Sequence, residues 1–297
     1  GRQIVPSLDA CRRLFLFMEF DMLNQAETDS NNASPRTCGV PARIEHTDQS
    51  GVRMVVGGNR GIGLALVKAQ LAMPEVERVI ATYRPTSGPG ELASLARAFG
   101  QRLQLHPLDV AHDGSIEQFA SFLAGQSGGI DLTIHAAGML HEDNIQPEKS
   151  LEQCDSASLR RLFEVNSIGP LMVAGALLPA HKRNRRFTFA ALSAMVGSIE
   201  DNRLGGWYGY RASKAALNQF VKTLSNECRI KYPRASIVAV HPGTTDTDLS
   251  RPFQTNVREG KLYSPEQTAT RILSVLEGLE ANQSGLFLNW DGSSIPW

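Results

Sequence analysis

The amino-acid sequence predicts an α/β fold, namely a doubly wound and mostly parallel sheet of seven strands with helices on both faces. From residue 51 onward, short apolar runs alternate with stretches of helical spacing, which is the pattern of repeated strand–helix units. Because crossovers between parallel strands are right-handed, such units build a doubly wound sheet. No change of composition inside residues 51–297 marks a second domain, so these residues are predicted to form one domain.

Seven apolar runs are predicted strands, because strands buried on both faces are continuously hydrophobic. They cover residues 52–56, 79–82, 103–108, 132–135, 187–192, 237–240 and 285–288. The stretches of helical spacing between them are predicted helices. These cover residues 62–72, 91–99, 115–124, 157–180 and 212–231.

Residues 1–50 lack this alternation and are predicted to be an extension that is poorly ordered or docked on the domain surface. Their apolar run, residues 14–20, is too short for a secretory signal. Their seven acidic residues are atypical of a transit peptide. We therefore expect a cytoplasmic protein, with organellar import through the extension left open.

Composition excludes several classes of function. The 30 basic and 30 acidic residues give a net charge of zero, which argues against nucleic-acid binding. No run of 18 or more apolar residues predicts a membrane span. The four cysteines are widely spaced, which favours a reducing compartment over a disulfide scaffold. No metal site is predicted, because metal-ligand spacing is absent around His106, His112, His141, His181 and His241.

A glycine-rich loop follows the first predicted strand and opens the first helix. It reads Gly57-Gly58-Asn59-Arg60-Gly61-Ile62-Gly63. Glycines let the backbone approach a pyrophosphate, whose charge then lies at the positive end of the helix. A tight strand-to-helix turn needs glycine as well, so the position on the first turn of the sheet carries the argument. The loop predicts a Rossmann-type dinucleotide site.

Two arginines predict which dinucleotide is bound. At the end of the second strand, an acidic residue would bond the ribose 2′-hydroxyl of NAD, but this chain has Arg84, with Arg60 in the neighbouring loop. Guanidinium groups hold a 2′-phosphate by bidentate hydrogen bonds. We therefore expect NADP(H) to be favoured over NAD(H), the alternative being that both arginines are solvated loop residues.

Two further strand ends carry weaker signals for the same site. Asp109-Val110 ends the third strand, where a carboxylate can accept a hydrogen bond from the adenine amino group. Ala136-Ala137-Gly138 follows the fourth strand, where small side chains leave room for the adenosine ribose. An aspartate after a strand is also a common helix cap, so Asp109 has a structural alternative.

The sequence Tyr210-Arg211-Ala212-Ser213-Lys214 carries the catalytic prediction. Positions i and i+4 of a helix share one face, so the Tyr210 phenol and the Lys214 ammonium are expected to enter one pocket. Lowering a phenol pKa from about 10 to about 7 takes about 4 kcal/mol, comparable to one charge at about 4 Å in an effective dielectric of about 20. Ser193, which follows the fifth strand, can donate a hydrogen bond to a substrate carbonyl.

Residues 52 to about 290 resemble the short-chain dehydrogenase/reductase family. The resemblance rests on the glycine loop, Asp109-Val110, Ala136-Ala137-Gly138, Asn166, Ser193, Tyr210-x3-Lys214 and Pro242-Gly243-x3-Thr247. Within the family, residues 201–208 and 290–293 look most like the C-factor-like branch. That branch is similar to carbonyl reductases and is named for a bacterial cell–cell signalling protein.

The resemblance implies a role for each matching residue. Tyr210 would be the general acid that protonates the carbonyl oxygen, and Lys214 would lower the Tyr210 pKa and bond the nicotinamide ribose. Ser193 would orient the carbonyl, and Asn166 would lie in a helix irregularity that holds a water. The nicotinamide carboxamide would be lined by Pro242, Gly243 and Thr245 or Thr247.

The chain also departs from the family pattern. Val56 replaces the usual threonine before the first glycine, and His135 replaces the first asparagine of the Asn-Asn-Ala-Gly motif. Ser193 precedes Tyr210 by 17 residues, so residues 197–209 are expected to form an added loop over the pocket. Residues 247–260 are expected to form a mobile lid. Trp207 and Phe253 are candidate substrate contacts.

The leading hypothesis is an NADPH-dependent reductase of aldehydes or ketones that acts on a small-molecule carbonyl or alcohol. One alternative is a cofactor-binding signalling protein of C-factor type. Another is a sugar-nucleotide epimerase or dehydratase, although only about 50 residues follow Gly243 to form a substrate domain. The hydrolase motif GxSxG is absent around Ser193. The resemblance implies a homodimer or homotetramer through the long helices of Asn166 and Tyr210, or a monomer.

Overall fold

Seven strands form one sheet in the order β3-β2-β1-β4-β5-β6-β7, and every neighbouring pair is parallel. The strands are β1 Val52–Val56, β2 Arg78–Tyr83, β3 Leu103–Pro107, β4 Leu132–His135, β5 Phe187–Leu192, β6 Ala235–His241 and β7 Leu286–Asn289. This computed structural model describes residues 51–126, 129–142, 144–280 and 283–297. The prediction for residues 1–50 lies outside the described residues. The doubly wound α/β fold is confirmed, and its sheet is wholly parallel.

Helices cover both faces of the sheet. They are α1 Gly61–Leu71, α2 Leu92–Phe99, α3 Asp113–Ala124, α4 Ser156–Phe163, α5 Gly169–Leu177, α6 Tyr208–Lys231 and α7 Pro265–Glu277. One apolar core lies between the sheet and α3, α5 and α6, and a second lies between the sheet and α1, α2 and α7. Strands buried by helices on both sides have few polar positions, which is why the apolar runs predicted them.

The predicted helix over residues 157–180 is interrupted in the structure. After α4, a π-helix at Glu164–Ile168 leads into α5, and a 3₁₀ turn at Leu178–Ala180 ends the stretch. By length and composition alone, Ser156–Ala180 could cross a membrane, with a mean hydropathy of 1.4. However, 44% of that apolar window is buried, and α5 packs against α3. The stretch is therefore a core helix of this domain.

Helix α7 was not predicted, although its sequence carries two helix signals. Ser264 and Gln267 form a capping box, and Pro265 occupies the first turn. Four buried apolar residues follow at positions 269, 272, 273 and 276, which is the spacing of one helix face. This face packs against α1, so α7 supports the helix that the glycine loop opens.

Candidate active site

A cleft of about 590 Å³ opens at the carboxyl ends of the strands. Its location follows from topology, because the chain leaves β1 and β4 in opposite directions at this point of the sheet. The predicted site residues that line it are Gly57, Asn59, Arg60, Gly61, Ile62, Gly63, Arg84, Asp109, Val110, Ala136, Ala137, Gly138, Ser193, Tyr210, Lys214, Pro242 and Thr247. Asn166, Gly243 and Thr245 were also predicted but are not among the residues that line the cleft.

The glycine loop forms a cradle that fits a pyrophosphate. Gly57 and Gly61 have left-handed backbones, with φ of 79° and 51°. A Cβ on Gly63 would lie 2.0 Å from the carbonyl oxygen of Gly57, so no side chain fits there. Helix α1 begins at Gly61 with no acidic residue in its first turn and no side-chain cap. Its free N–H groups therefore suit an anion.

A side chain from β2 holds the loop where the sequence lacked the family's threonine. The N–H of Gly57 donates to Thr82 Oγ1 at 3.1 Å, and the N–H of Gly58 donates to the Thr82 carbonyl at 2.8 Å. Asn59 donates from Nδ2 to the Gly88 carbonyl at 3.3 Å. Thr82, which the pairing of β1 with β2 places beside the loop, thus supplies the hydroxyl that position 56 lacks.

The two arginines of the predicted phosphate clamp lie in different environments. Arg60 is exposed, and its side chain makes no hydrogen bond or ion pair to the described residues, whereas Arg84 Nη1 pairs with Glu142 at 2.8 Å. Glu142 also faces Arg161 at 3.7 Å. Glu142 therefore competes with a ligand phosphate for Arg84, a feature that the sequence analysis missed.

The third and fourth strand ends lie in the cleft as predicted. Asp109 also makes a local hydrogen bond to the backbone. Its Oδ1 accepts a hydrogen bond from the N–H of Ala111 at 3.0 Å, which forms a local turn. The helix cap that was its structural alternative is instead His112, which precedes α3. Ala137 lies against the glycine loop, because a Cβ on Gly57 would be 2.8 Å from the Ala137 nitrogen. Small residues are required at this contact.

Tyr210 and Lys214 lie on one face of α6, and both are buried. Lys214 Nζ donates to the Leu192 carbonyl at 2.9 Å and lies 5.9 Å from the centroid of the Tyr210 ring. Burial raises the pKa of the Tyr210 phenol above its ordinary value. Burial also lowers the pKa of Lys214 from 10.5 to about 8. Desolvation dominates the pKa of Tyr210 in the protein without cofactor. The expected lowering of this pKa by Lys214, helped by the positive charge of an oxidised nicotinamide, stays a prediction for the protein with cofactor bound.

Asn166 lies in the π-helix, where the family resemblance placed a helix irregularity. Its side chain clamps the backbone of Met139, accepting from the N–H at 2.8 Å and donating to the carbonyl at 2.7 Å. It also donates to Ser213 Oγ at 3.1 Å. Asn166 is fully buried, so in the described structure it positions the loop after β4 rather than lining the cleft.

A buried asparagine, which the sequence analysis did not select, bonds Ser193. Ser193 Oγ donates to Asn218 Oδ1 at 2.7 Å, and Asn218 Nδ2 donates to the Gly197 carbonyl at 3.3 Å. Asn218 follows Lys214 by four residues, so Tyr210, Lys214 and Asn218 occupy one face of α6. This i, i+4, i+8 spacing was the available signal.

Glu148 anchors the first turn of α6, and this too was missed. Both of its carboxylate oxygens accept from the N–H of Gly209, at 3.2 and 3.3 Å, and its carbonyl accepts from the N–H of Trp207 at 2.5 Å. Among the described residues, Trp207 alone is a non-glycine residue with a left-handed backbone, at φ 52°. Glu148 therefore holds a strained entry to the helix that carries Tyr210.

The loop after β6 divides its two threonines. Thr247 lines the cleft beside Gly61, whereas Thr245 is buried and bonds Thr268 at 2.8 Å. Gly243 packs against the Trp290 ring, because a Cβ on Gly243 would be 3.0 Å from Trp290 Cδ1. Of the two alternatives, the structure brings Thr247 to the cleft.

Aromatic side chains form a cluster beside Tyr210, although neither Trp207 nor Phe253 lines the cleft itself. Trp207 lies 5.1 Å from Phe253 and 6.1 Å from Tyr210 between ring centroids, and His141 lies 5.8 Å from Phe253. Phe253 belongs to a 3₁₀ helix at Arg251–Asn256, within the segment predicted to be a lid. The loop over residues 197–209 supplies Trp207.

His135 ends β4 beside Val56 and is fully buried. Its Nε2 has no hydrogen-bond partner among the described residues. Burial, together with the charge of Lys214, lowers the pKa of His135 to about 3, so the imidazole is neutral. The described residues contain no group of three His, Cys, Asp or Glu side chains that could hold a metal ion.

A doubly wound sheet with an anion cradle after β1 and a Tyr-x3-Lys pair in the same cleft defines a nicotinamide-dependent oxidoreductase. The family model described as short chain dehydrogenase matches residues 52–258, and the chain belongs to this family. It is an NAD(P)-dependent enzyme of the carbonyl-reductase-like branch.

Individual relatives agree with this assignment. The short chain dehydrogenase gsfK of Penicillium aethiopicum is 31% identical over 261 residues, which cover 82% of this chain and 98% of that protein. The C-signal protein of Myxococcus xanthus is 35% identical over 149 residues, covering 50% of this chain and 84% of that protein. The NADPH-bound carbonyl reductase from chicken fatty liver has 29% identity and a TM-score of 0.74, covering 84% of this chain and 95% of that chain.

Proposed function

We propose that this protein reduces the carbonyl group of an aldehyde or ketone to an alcohol with NADPH. The observation that carries the proposal is the placement of Tyr210 and Lys214 in the cleft that the glycine cradle opens. The cradle fits a pyrophosphate at one end, and the phenol lies towards the other end. That arrangement suits a dinucleotide whose reactive ring lies beside a proton donor.

The residues of this chain support proton donation. A bound nicotinamide supplies hydride to the carbonyl carbon. Because burial raises the Tyr210 pKa, the phenol is protonated at neutral pH and can donate its proton to the carbonyl oxygen. Lys214, fixed by the Leu192 carbonyl, places a positive charge near the phenol and stabilises the phenolate that remains. Ser193 lies in the same cleft as a hydrogen-bonding partner for the substrate oxygen.

This reduction is tested by following NADPH oxidation with a panel of aldehydes and ketones. We expect oxidation that depends on the carbonyl compound. We also expect that NADPH deuterated on the transferred position yields an alcohol with deuterium on the carbinol carbon. Carbonyl-independent oxidation, or an alcohol without deuterium, would contradict hydride transfer.

The preference for NADPH over NADH is part of the proposal and rests on Arg60 and Arg84. Each guanidinium can form charge-assisted hydrogen bonds with a 2′-phosphate, which NADH lacks. Losing such bonds costs about 1.5–3 kcal/mol, so Arg84→Ala should weaken NADPH binding at least about tenfold in a calorimetric titration. Binding of NADH should change less than about twofold. Equal effects on both cofactors would contradict the binding of the 2′-phosphate by these arginines.

A second candidate is a signalling protein whose output is cofactor occupancy. It is favoured by the 35% identity to the Myxococcus xanthus C-signal protein. Tyr210→Phe separates the two functions, because a reductase loses turnover whereas a sensor keeps its partner response while binding NADPH. The buried Tyr210–Lys214 pair favours turnover, since cofactor occupancy alone needs no proton donor.

We propose a homodimer as the simplest assembly. Two apolar side chains on the outer face of the Asn166 helix support it, because Ile168 is 46% exposed and Met172 is 43% exposed. Light scattering of the wild-type protein and of Met172→Lys tests this. The wild type should have twice the mass of the chain, and the variant should dissociate; a monomeric wild type would contradict the homodimer.

A further inference from the structure

Helix α6 holds the end of β5 through two side chains placed one helical turn apart. Lys214 Nζ donates to the Leu192 carbonyl at 2.9 Å, and Asn218 bonds the next residue, Ser193. Both residues are buried, with relative exposures of 4% for Lys214 and 2% for Asn218. Gly197 also packs closely against Lys214, because a Cβ on Gly197 would lie 2.9 Å from Lys214 Cβ. Ser193 is therefore held against the face of α6 that carries Tyr210.

The hydrogen bonds of Asn218 determine which way the Ser193 proton points. The Gly197 carbonyl can only accept, so the Asn218 group facing it must be the NH₂ donor. The amide oxygen then faces Ser193, and an amide oxygen can only accept. The Ser193 hydroxyl consequently donates to Asn218, which leaves its lone pairs for the cleft. Rotating the amide would place two acceptors together at Gly197.

We propose that Asn218 is a positioning residue for Ser193. It fixes the Ser193 rotamer and holds the hydroxyl proton in the resting enzyme. The Ser193 oxygen therefore has a fixed position, and its proton reaches a substrate carbonyl only by rotating about the Cβ–Oγ bond away from Asn218 Oδ1. No bond other than this hydrogen bond is exchanged. The proposal rests on the proposed carbonyl reduction and adds a residue to it.

A double-mutant cycle in turnover tests this role. Asn218→Leu keeps a branched side chain but removes both amide contacts, and we expect it to lower kcat on the order of tenfold, since small misplacements of reacting groups are costly. The Kd for NADPH should stay within about twofold, because Asn218 lies behind Ser193. In a Ser193→Ala background, Asn218→Leu should cause no further loss, because its effect acts through Ser193.

The matched control is Gln70→Leu, which removes another buried side-chain amide from a helix. Gln70 is fully buried in α1, and its side-chain amide donates to the Leu66 carbonyl of its own helix. It should leave kcat within about twofold of wild type. If Asn218→Leu also leaves kcat unchanged, or lowers it equally with and without Ser193, the positioning role is overturned. Should Asn218→Leu fail to fold, Asn218→Ala replaces it in the same cycle.

A second cycle separates this proposal from the proposed function, because it needs no turnover. The Tm of the wild type, Ser193→Ala, Asn218→Leu and the double variant is measured without cofactor. A shared hydrogen bond predicts that the double variant loses less Tm than the sum of the single losses. Additive losses would overturn the Ser193–Asn218 bond. Non-additive losses in a protein that oxidises no NADPH would support the bond and contradict carbonyl reduction.

Discussion

At the Tyr210–Lys214 pair, burial favours the neutral form of each group. It raises the pKa of the phenol and lowers that of the ammonium to about 8, because each charged form is poorly solvated. The phenol is thereby kept protonated, whereas the lysine is held charged at neutral pH against a desolvation cost. The site thus loses folding stability by holding a charge beside the proposed proton donor.

Lys214→Met should make this cost visible in the protein without cofactor. The pKa of Lys214 falls from 10.5 to about 8 on folding, so keeping it charged below pH 8 costs about 3 kcal/mol. Losing the Leu192 hydrogen bond offsets about 1 kcal/mol of that. We expect the variant to be about 2 kcal/mol more stable at pH 7 in urea unfolding, yet at least about a hundredfold slower in turnover.

The pH dependence of this gain has a defined sign. Between pH 8 and pH 10.5 the unfolded chain binds more protons at Lys214 than the folded protein does, so wild-type stability rises with pH. The advantage of Lys214→Met should therefore shrink as the pH rises from 8 to 10. A constant advantage would mean that packing, rather than charge burial, is responsible.

At the scale of elements, α6 is the part of the fold that assembles the site. Its first turn carries Tyr210, its second carries Lys214 and its third carries Asn218. The helix begins at Tyr208, earlier than the predicted start at residue 212, because Glu148 caps it from a distant loop. A buried carboxylate at a helix N-terminus interacts favourably with the helix dipole.

Glu148→Ala should therefore destabilise the entry to α6. It leaves the Gly209 N–H buried without a partner, which costs about 1–3 kcal/mol, whereas Glu148→Gln keeps an acceptor and should recover much of that. Thermal unfolding of the two variants measures the difference. Equal Tm losses for alanine and glutamine would show that the carboxylate acts by packing and not as a cap.

The elements also show where sequence pattern fails as a guide. All seven strands were predicted, because each is a short apolar run that two helix layers bury. The π-helix at Glu164–Ile168 was expected only from the family resemblance and not from the sequence pattern, since its residues have ordinary helical spacing and the break depends on contacts with α6. Helix α7 had a readable capping box, and Trp207 had no readable sign of its left-handed backbone.

At the scale of the whole molecule, the cleft was predictable as a list of residues but not as a set of contacts. The glycine loop, Tyr210 and Lys214 follow from local spacing. The contacts of Glu148 with Gly209, Glu142 with Arg84 and Asn218 with Ser193 join segments 61, 58 and 25 residues apart. Such contacts depend on how the crossovers pack, which single-sequence periodicity does not encode.

The sheet also makes the molecule sensitive to acid. His135 and His241 end β4 and β6, and burial lowers their pKa values to about 3 and about 4. Below pH 6.5 the imidazoles are protonated in the unfolded chain but not in the folded protein. The free energy of unfolding therefore decreases as the pH is lowered. Each should cost about 2 kcal/mol between pH 6.5 and pH 5. His135→Asn should remove about half of the two-histidine loss in urea unfolding.

The control for this acid effect is Gln70→Leu. Gln70 is fully buried in α1, and its side-chain amide does not titrate. Its slope of stability against pH should match that of the wild type. An unchanged slope in His135→Asn would show that another group drives the acid loss.

In the proposed reaction, Tyr210 protonates a carbonyl oxygen while the cleft holds NADPH. This proton transfer is tested most directly by comparing wild type, Tyr210→Phe and Tyr208→Phe in carbonyl-dependent NADPH oxidation, with NADPH affinity measured in parallel. Tyr208 is the matched control, because it lies in the same helical turn and is 44% exposed. We expect Tyr210→Phe to lose at least about a hundredfold in kcat with NADPH affinity intact, and Tyr208→Phe to retain activity. A Tyr210→Phe variant that turns over at the wild-type rate would contradict the account.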